Sequence, residues 1–313
     1  MRIIDQLVYK ISGDTNEFNT AINSSEKKVS TFGDTAKKVF TGIGISAAIG
    51  VITTQVKKSV DAFSSYEEGL AKVSTLFGDV EVDMDNLSDG VQRVSSETGL
   101  LAGEINEALY SALSAGVEVT EDMSGALDIV EKSAKLARAG FTDTDTALSA
   151  TIKTINAYKL GLDDTDRIQN ILMQTQNKGI TTVGELGANL AKVTPTAAAF
   201  GVAFEDVGAS IATMTAQGIK TEMATTYLSG VISELGKQGT SASVALATAA
   251  ESLGMTETSM KGMLDSGMSL GDVLNIMSDY AKETGISVVD MFGSLEAGKA
   301  VLALTGENAE TFA

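Results

Sequence analysis

Three parts of this sequence place residues at spacings that chemistry uses. Gly293-Ser294-Leu295-Glu296-Ala297-Gly298-Lys299-Ala300 fits the Gly, four-residue spacer, Gly, Lys portion of a phosphate-binding loop. Such a loop cradles phosphate oxygens on backbone N–H groups, and a Ser or Thr after the Lys holds magnesium. Ala300 cannot hold magnesium, and Glu296 would put a negative charge inside the cradle. The stretch reads better as a helix turn running into Leu302-Ala303-Leu304. Gly42-Ile43-Gly44-Ile45-Ser46-Ala47 has the loose form of a dinucleotide fingerprint, without the strand and ribose-binding unit that give that form meaning. Two acidic clusters, at residues 79–85 and Asp163-Asp164-Thr165-Asp166, lack the calcium-loop pattern with its central Gly and terminal Glu. Asp163 to Asp166 follow a helix stop, where carboxylates favour the next helix N-terminus. Residue type alone leaves a pair such as Asp163 and Asp164 open to glycoside cleavage, but aromatic residues that would bind sugar make up only 5% of the chain, with no Trp.

Composition removes most other chemistry. The 313 residues contain no His and no Cys. That excludes an imidazole base, a Ser-His-Asp triad, a thiol nucleophile, a disulfide and a His- or Cys-ligated zinc. We expect no enzyme, no cofactor and no metal. With 23 basic and 41 acidic side chains the formal charge is -18, a surface that repels phosphates, so no specific nucleic-acid binding is expected. Residues 1–62 hold 8 basic and 6 acidic side chains, leaving 15 basic against 35 acidic in the remaining 251. The shift marks a boundary near Asp61. The start, Met1-Arg2-Ile3-Ile4-Asp5, puts an acid where the apolar part of a secretory signal should begin.

The single Pro and 31 glycines point to the elements that must carry these residues. One cassette recurs: a helical run, then Gly, then an apolar residue. It appears at Gly99, Gly116, Gly140, Gly161, Gly179, Gly201, Gly218, Gly254 and Gly285. Glycine takes the left-handed conformation at a helix end without a Cβ clash, and the apolar residue folds back on the last turn. Start signals follow: Thr142 with Asp145, Thr182 with Glu185, and Ser287 with Asp290 have capping-box spacing. Apolar faces support helices. Leu127, Val130, Ala134 and Ala137 share one face, as do Ile168, Ile171, Leu172 and Thr175, and Leu186, Leu190 and Val193 lead to a boundary at Thr194-Pro195. About ten short helices are expected after residue 62, in an all-α multi-helix array with Gly-capped turns. Successive stops lie 17 to 36 residues apart, which does not suggest a strict repeat or a solenoid.

Residues 1–62 differ. Residues 1–15 read as a strand arm, rich in Ile, Val and Tyr and closing at Gly13-Asp14. Its unpaired edges call for a second copy or another partner. Residues 16–62 read as a coiled-coil-like and apolar helical segment. Phe18, Ile22, Ser25, Val29, Phe32, Ala36 and Val39 step by 4 and 3, the spacing of an oligomerising seam, in which Ser25 is a weak member. The apolar run 39–52, flanked by Lys37-Lys38 and Lys57-Lys58, is shorter than the roughly 20 residues that span a bilayer. A buried or self-associating helix is the first reading. Insertion of residues 39–60 into a membrane through Ile43, Ile45, Ile49, Val51 and Ile52 is the alternative.

The order of pieces from residue 63 onward resembles the N-terminal domain of phage tail tape measure proteins, also called phage-related minor tail proteins. Residues 63–77, with Val73-Ser74, resemble the family's opening helix. Leu109-Tyr110-Ser111-Ala112-Leu113-Ser114-Ala115-Gly116-Val117 resembles its small-residue helix, and Ala134-Lys135-Leu136-Ala137-Arg138-Ala139-Gly140 the next one. Gly184-Glu185-Leu186, residues 197–212 and Met214-Thr215-Ala216-Gln217-Gly218 complete the series. The resemblance implies a structural protein, residues 63–313 being a tape measure N-terminal domain in a longer chain. It implies a homo-oligomer, trimer or hexamer, in the lumen of the tail tube, assembled in the host cytoplasm. Its partners would be the tail tube protein and tail tip or terminator components, with the host membrane a possible partner on ejection. With its glycine stops this part is a poor ruler, so the measuring rod is expected beyond Ala313.

Overall fold

The computed structural model describes residues 66–305. Nearly all of them belong to the second of two compact units, Met1–Glu68 and Gly69–Ala313. The expected strand arm, the seam of Phe18, Ile22, Val29, Phe32 and Val39, and the apolar Ile43, Ile45, Ile49, Val51 and Ile52 lie outside the described residues.

Among the described residues there is no strand. Residues 66–74 are helical, and thirteen further α-helices follow. The first hairpin is α1 (Met84–Thr98) with α2 (Ala102–Ser114), and the second α3 (Ser124–Ala139) with α4 (Thr144–Tyr158). In the third, α5 (Thr165–Lys178) faces a broken partner, α6 (Val183–Asn189) and α7 (Thr194–Phe200). The fourth is α8 (Phe204–Ala216) with α9 (Thr221–Gly236). Four helices follow: α10 (Ser241–Ser252), α11 (Met260–Asp265), α12 (Leu270–Thr284) and α13 (Leu295–Leu304). The expected run Leu186, Leu190, Val193 is thus interrupted. A 3₁₀ turn, Leu190–Lys192, separates α6 from α7, and Pro195 sits in the first turn of α7. All three apolar residues are nevertheless buried.

The hairpins stack in two layers. Helices α1, α3, α5 and α8 pack in succession; so do α2, α4, the α6–α7 pair and α9, while α13 covers α8 and α9. First-layer helices start at 84, 124, 165 and 204, and second-layer helices at 102, 144, 183 and 221. The period is 38–42 residues, that of a stacked helix-pair array. This corrects the expectation of no repeat. Successive glycine stops alternate between the two ends of a hairpin. Alternate ones, Gly99, Gly140, Gly179 and Gly218, are 41, 39 and 39 residues apart.

Helix ends share one geometry. The N–H groups of Val117, Thr142, Leu160, Val202, Ile219, Met255 and Met268 each donate, at 2.9–3.1 Å, to the carbonyl five residues earlier. The residue before each donor is left-handed: Gly116, Phe141, Lys159, Gly201, Gly218, Gly254 and Gly267. This six-residue closure satisfies carbonyls left open by the last turn. Gly99 and Gly285 are left-handed end residues too. Three expected stops differ. At Gly140 the left-handed residue is Phe141, near Gly161 it is Lys159, and Gly179 is extended. Space explains two of these glycines. A Cβ on Gly140 would lie 2.7 Å from Cβ of Val183, and one on Gly179 2.9 Å from Cα of Ala212.

Small residues also set the layer spacing. A Cβ on Gly208 of α8 would lie 2.7 Å from both Cγ2 of Ile171 and Oγ1 of Thr175 on α5. Buried hydroxyls are paid into their own helices: Thr151, Thr154, Thr175, Thr215 and Thr225 each donate to the carbonyl four residues back. They therefore pack as small side chains without orphaned polar atoms. The expected faces are buried, with Leu127, Val130, Ala134 and Ala137 at 8% exposure or less, and Ile168, Leu172 and Thr175 likewise, while Ile171 of the second face is only partly covered.

Two substitutions follow, both read by urea denaturation. Gly208→Ala should cost about 1–3 kcal/mol through overpacking at the α5–α8 contact. Lys159→Gly should raise stability by about 0.5–1 kcal/mol, the left-handed strain relieved less the added freedom of the unfolded chain.

Candidate functional surface

The phosphate-loop-like stretch is the start of a helix. Ser294 is the N-cap of α13, its Oγ accepting from the Ala297 N–H. The place where an anion would sit is filled from within. The Glu234 carboxylate on α9 accepts from the N–H groups of Gly293 (2.6 Å) and Ser294 (3.1 Å) and from the Ser294 hydroxyl (2.5 Å). Gly298 lies against Val289, and Lys299 faces outward onto a groove with Met223 and Leu302. The stretch therefore ties α13 to α9. The dinucleotide-like residues 42–47 lie outside the described residues.

The acidic clusters act at helix starts. Asp83 caps α1, accepting from the N–H groups of Asp85 and Asn86. Asp164 pairs with Arg167 at 3.0 Å, and Asp166 with Lys132 at 3.1 Å. Among the described residues no group of three or more acids is placed to hold a metal ion. The start signals are used differently from expectation. Asp143, not Thr142, caps α4, because its carboxylate reaches the Thr146 N–H at 2.7 Å. Thr182 caps α6, but the Glu185 carboxylate does not close a box; it accepts instead from the Thr221 hydroxyl on α9, at 2.7 Å. Ser287 precedes a 3₁₀ turn without a side-chain cap. The box that forms is Ser269 with Asp272, at α12.

Ion pairs repeat with the stacking. Arg93 of α1 meets Glu131 of α3 at 2.6 Å, Lys132 of α3 meets Asp166 of α5 at 3.1 Å, and Arg167 of α5 meets Glu205 of α8 at 2.6 Å. Each first-layer step carries one. Mostly exposed pairs contribute little energy, but they mark register along the layer. Glu131 is the enclosed member, with its side chain 13% exposed. Burial raises its pKa, and the hydrogen bonds from Lys135 and Arg93 outweigh that, holding it down at about 2. Asp206 has the opposite balance: burial, with Glu205 and Asp272 nearby, lifts its pKa despite the Leu270 N–H that it caps at 2.9 Å.

The described residues form open grooves. One, of about 490 Å³, lies beside Ile180, Glu185, Ile219 and Glu222, and a second, of about 500 Å³, beside Leu100, Glu104, Arg138 and Asp143. Large apolar side chains protrude near them: Phe141 is 90% exposed, Ile180 72% and Leu101 68%. The apolar residue after each glycine was expected to fold back; Phe141 and Ile180 instead face outward, and Leu101, one place beyond that pattern, was not singled out.

A family model described as phage-related minor tail protein matches residues 88–306, from within α1 to just past α13. The chain belongs to the phage-related minor tail protein family. Its match to this family takes in all four hairpins and the helices after them, so the stacked array is the family's region in this chain. The chain is 46% identical over 312 residues to the "Probable tape measure protein" of Clostridium phage phiCD119, covering 100% of this chain and 32% of that protein. It is 19% identical over 237 residues to the "Tape measure protein" of Pneumococcus phage Dp-1, covering 73% of this chain and 20% of that protein. The chain thus spans a third or less of the length of these relatives. No solved structure matches it.

Acid sensitivity should follow Glu131. Its folded pKa lies below the ordinary 4.5, so its contribution is present above that value and is lost as pH falls toward about 2. Glu131→Gln should cost about 1–2 kcal/mol at neutral pH and reduce the loss of stability on acidification, followed by denaturation at successive pH values. Glu234→Ala should unfasten α13, seen as faster amide hydrogen exchange across Leu295–Leu304 with little change in α1 to α4.

Proposed function

We propose that this chain is one part of a tail tape measure protein, a structural component of a phage tail. The observation that carries the reading is identity of 46% along the whole chain to a relative named as a probable tape measure protein. The physical features agree with it. Residues 63–313 carry 15 basic against 35 acidic side chains, a surface that lets DNA pass without adhering. The described elements are short, folded back in hairpins, and so contribute little length for their number of residues.

On this reading the stacked array is a folded head, and tail length is set by parts of the longer protein that this chain does not cover. The protein occupies the tube lumen, helps nucleate tube assembly, and meets the tail tube protein and tail tip or terminator components. Copies join as a trimer or hexamer through the seam of Phe18, Ile22, Val29, Phe32 and Val39. Residues 39–60 are available to the host membrane after ejection.

The test is genetic, in a phage encoding this chain. In-frame removal of helical segments outside the family-matching region should shorten tails by about 1.5 Å per residue removed. Removal of one hairpin from the array should stop tail formation instead of shortening it. Tails of unchanged length after the first kind of deletion, measured by electron microscopy, would defeat the reading.

A further inference from the structure

Lys220 and Lys299 line an open groove of about 520 Å³ between the start of α9 and the end of α13. Of the three grooves described, it alone has no carboxylate in its lining, although residues 63–313 carry 15 basic against 35 acidic side chains. Among the described residues neither lysine makes an ion pair. Met223 and Leu302 line the same groove, 41% and 54% exposed, together with Ile219 and the buried Tyr227. Free cations beside open apolar side chains fit a segment that carries acids beside an apolar side chain.

Such a segment starts at the groove itself. Ala303, one of the lining residues, accepts at its carbonyl from Nε2 of Gln217 at 2.7 Å, which pins the last turn of α13 to the turn between α8 and α9. Thr305 is buried there, its hydroxyl donating to the Val301 carbonyl at 2.8 Å. The sequence then reads Gly306-Glu307-Asn308-Ala309-Glu310-Thr311-Phe312-Ala313, with two acids, no base and one aromatic residue. Glycine at its first position lets the chain turn back sharply.

We propose that this groove receives residues 306–313 of the same chain, Glu307 and Glu310 answering Lys220 and Lys299, and Phe312 covering Met223 and Leu302. Charge and attachment select that occupant. A segment tethered beside its site acts at roughly millimolar concentration, so contacts too weak to hold a free peptide keep it in place. Eight residues span at most about 28 Å, and a groove of this volume takes a few side chains, so one pass fills it. The proposal does not depend on the tape measure reading.

The experiment uses the full chain, which has no Trp, so that Phe312→Trp installs a single fluorescent reporter. Its emission should lie to the blue of its emission in urea and be protected from quenching by acrylamide, with salt reducing the protection. Lys220→Glu with Lys299→Glu should abolish both signs of docking, and Met223→Ser with Leu302→Ser should do the same. All four side chains are exposed, so the fold survives their replacement, as circular dichroism would verify; the lysine pair decides the matter if the apolar pair fails to fold. The same change of charge at Lys153 and Lys237, which do not line the groove, should leave the reporter protected. A reporter as exposed in the native chain as in urea would overturn the proposal, and so would protection that survives both groove pairs. Protection that grows with protein concentration would overturn it as well, since the occupant would then come from a second copy.

Discussion

Stacking depends on a hydrogen bond that spans six residues at helix ends. When a residue at a helix end turns left-handed, the next N–H reaches back to the carbonyl five positions earlier, and the next helix starts after a connection of three to nine residues. Seven such closures occur among the described residues. Each terminates a helix while satisfying carbonyls that would otherwise be open at a buried end. Short turns then keep each helix against the next, and a period near 40 residues emerges from two helices and two turns. The second requirement is close approach. Gly140, Gly179 and Gly208 leave no room for a Cβ, so the second role of glycine is to let neighbouring helices touch.

The two roles explain what the sequence could and could not reveal. Helical faces were legible, since Leu127, Val130, Ala134 and Ala137 recur at helical spacing and all are buried. Stops at Gly116, Gly201, Gly218 and Gly254 were legible from a glycine followed by an apolar residue. The same pattern misled at Gly140 and Gly179, because a glycine needed for space looks identical to one needed for its dihedral. Lys159 and Phe141 hid their left-handed role behind ordinary side chains. The repeat was hidden by comparing neighbouring stops, which belong to opposite ends of a hairpin. The offsets of 38 residues within the first layer, Arg93 to Glu131 and Arg167 to Glu205, hold nearly the same period in charge.

Polar groups that looked chemical are consumed by the architecture. Glu234 occupies the anion position at the head of α13, Asp83 caps α1, and Glu185 accepts from the Thr221 hydroxyl on the next hairpin of the second layer. Each group is satisfied by a neighbour in the array, and the described surface is left with grooves, carboxylates and a few protruding apolar residues. That surface suits membership of a family of phage tail proteins.

Hairpin stacking has a direct test in a chain with no cysteine of its own. The hydroxyls of Thr181, just before α6, and Thr221, at the start of α9, lie 2.8 Å apart across 40 residues of sequence. Cysteines at these two positions lie within disulfide reach only if successive hairpins stack in register. Mild oxidation of the Thr181→Cys, Thr221→Cys chain should give an intramolecular bridge, seen as a faster band on a non-reducing gel and a peptide pair by mass spectrometry. Thiols that stay reduced in the folded chain would contradict the stacked array.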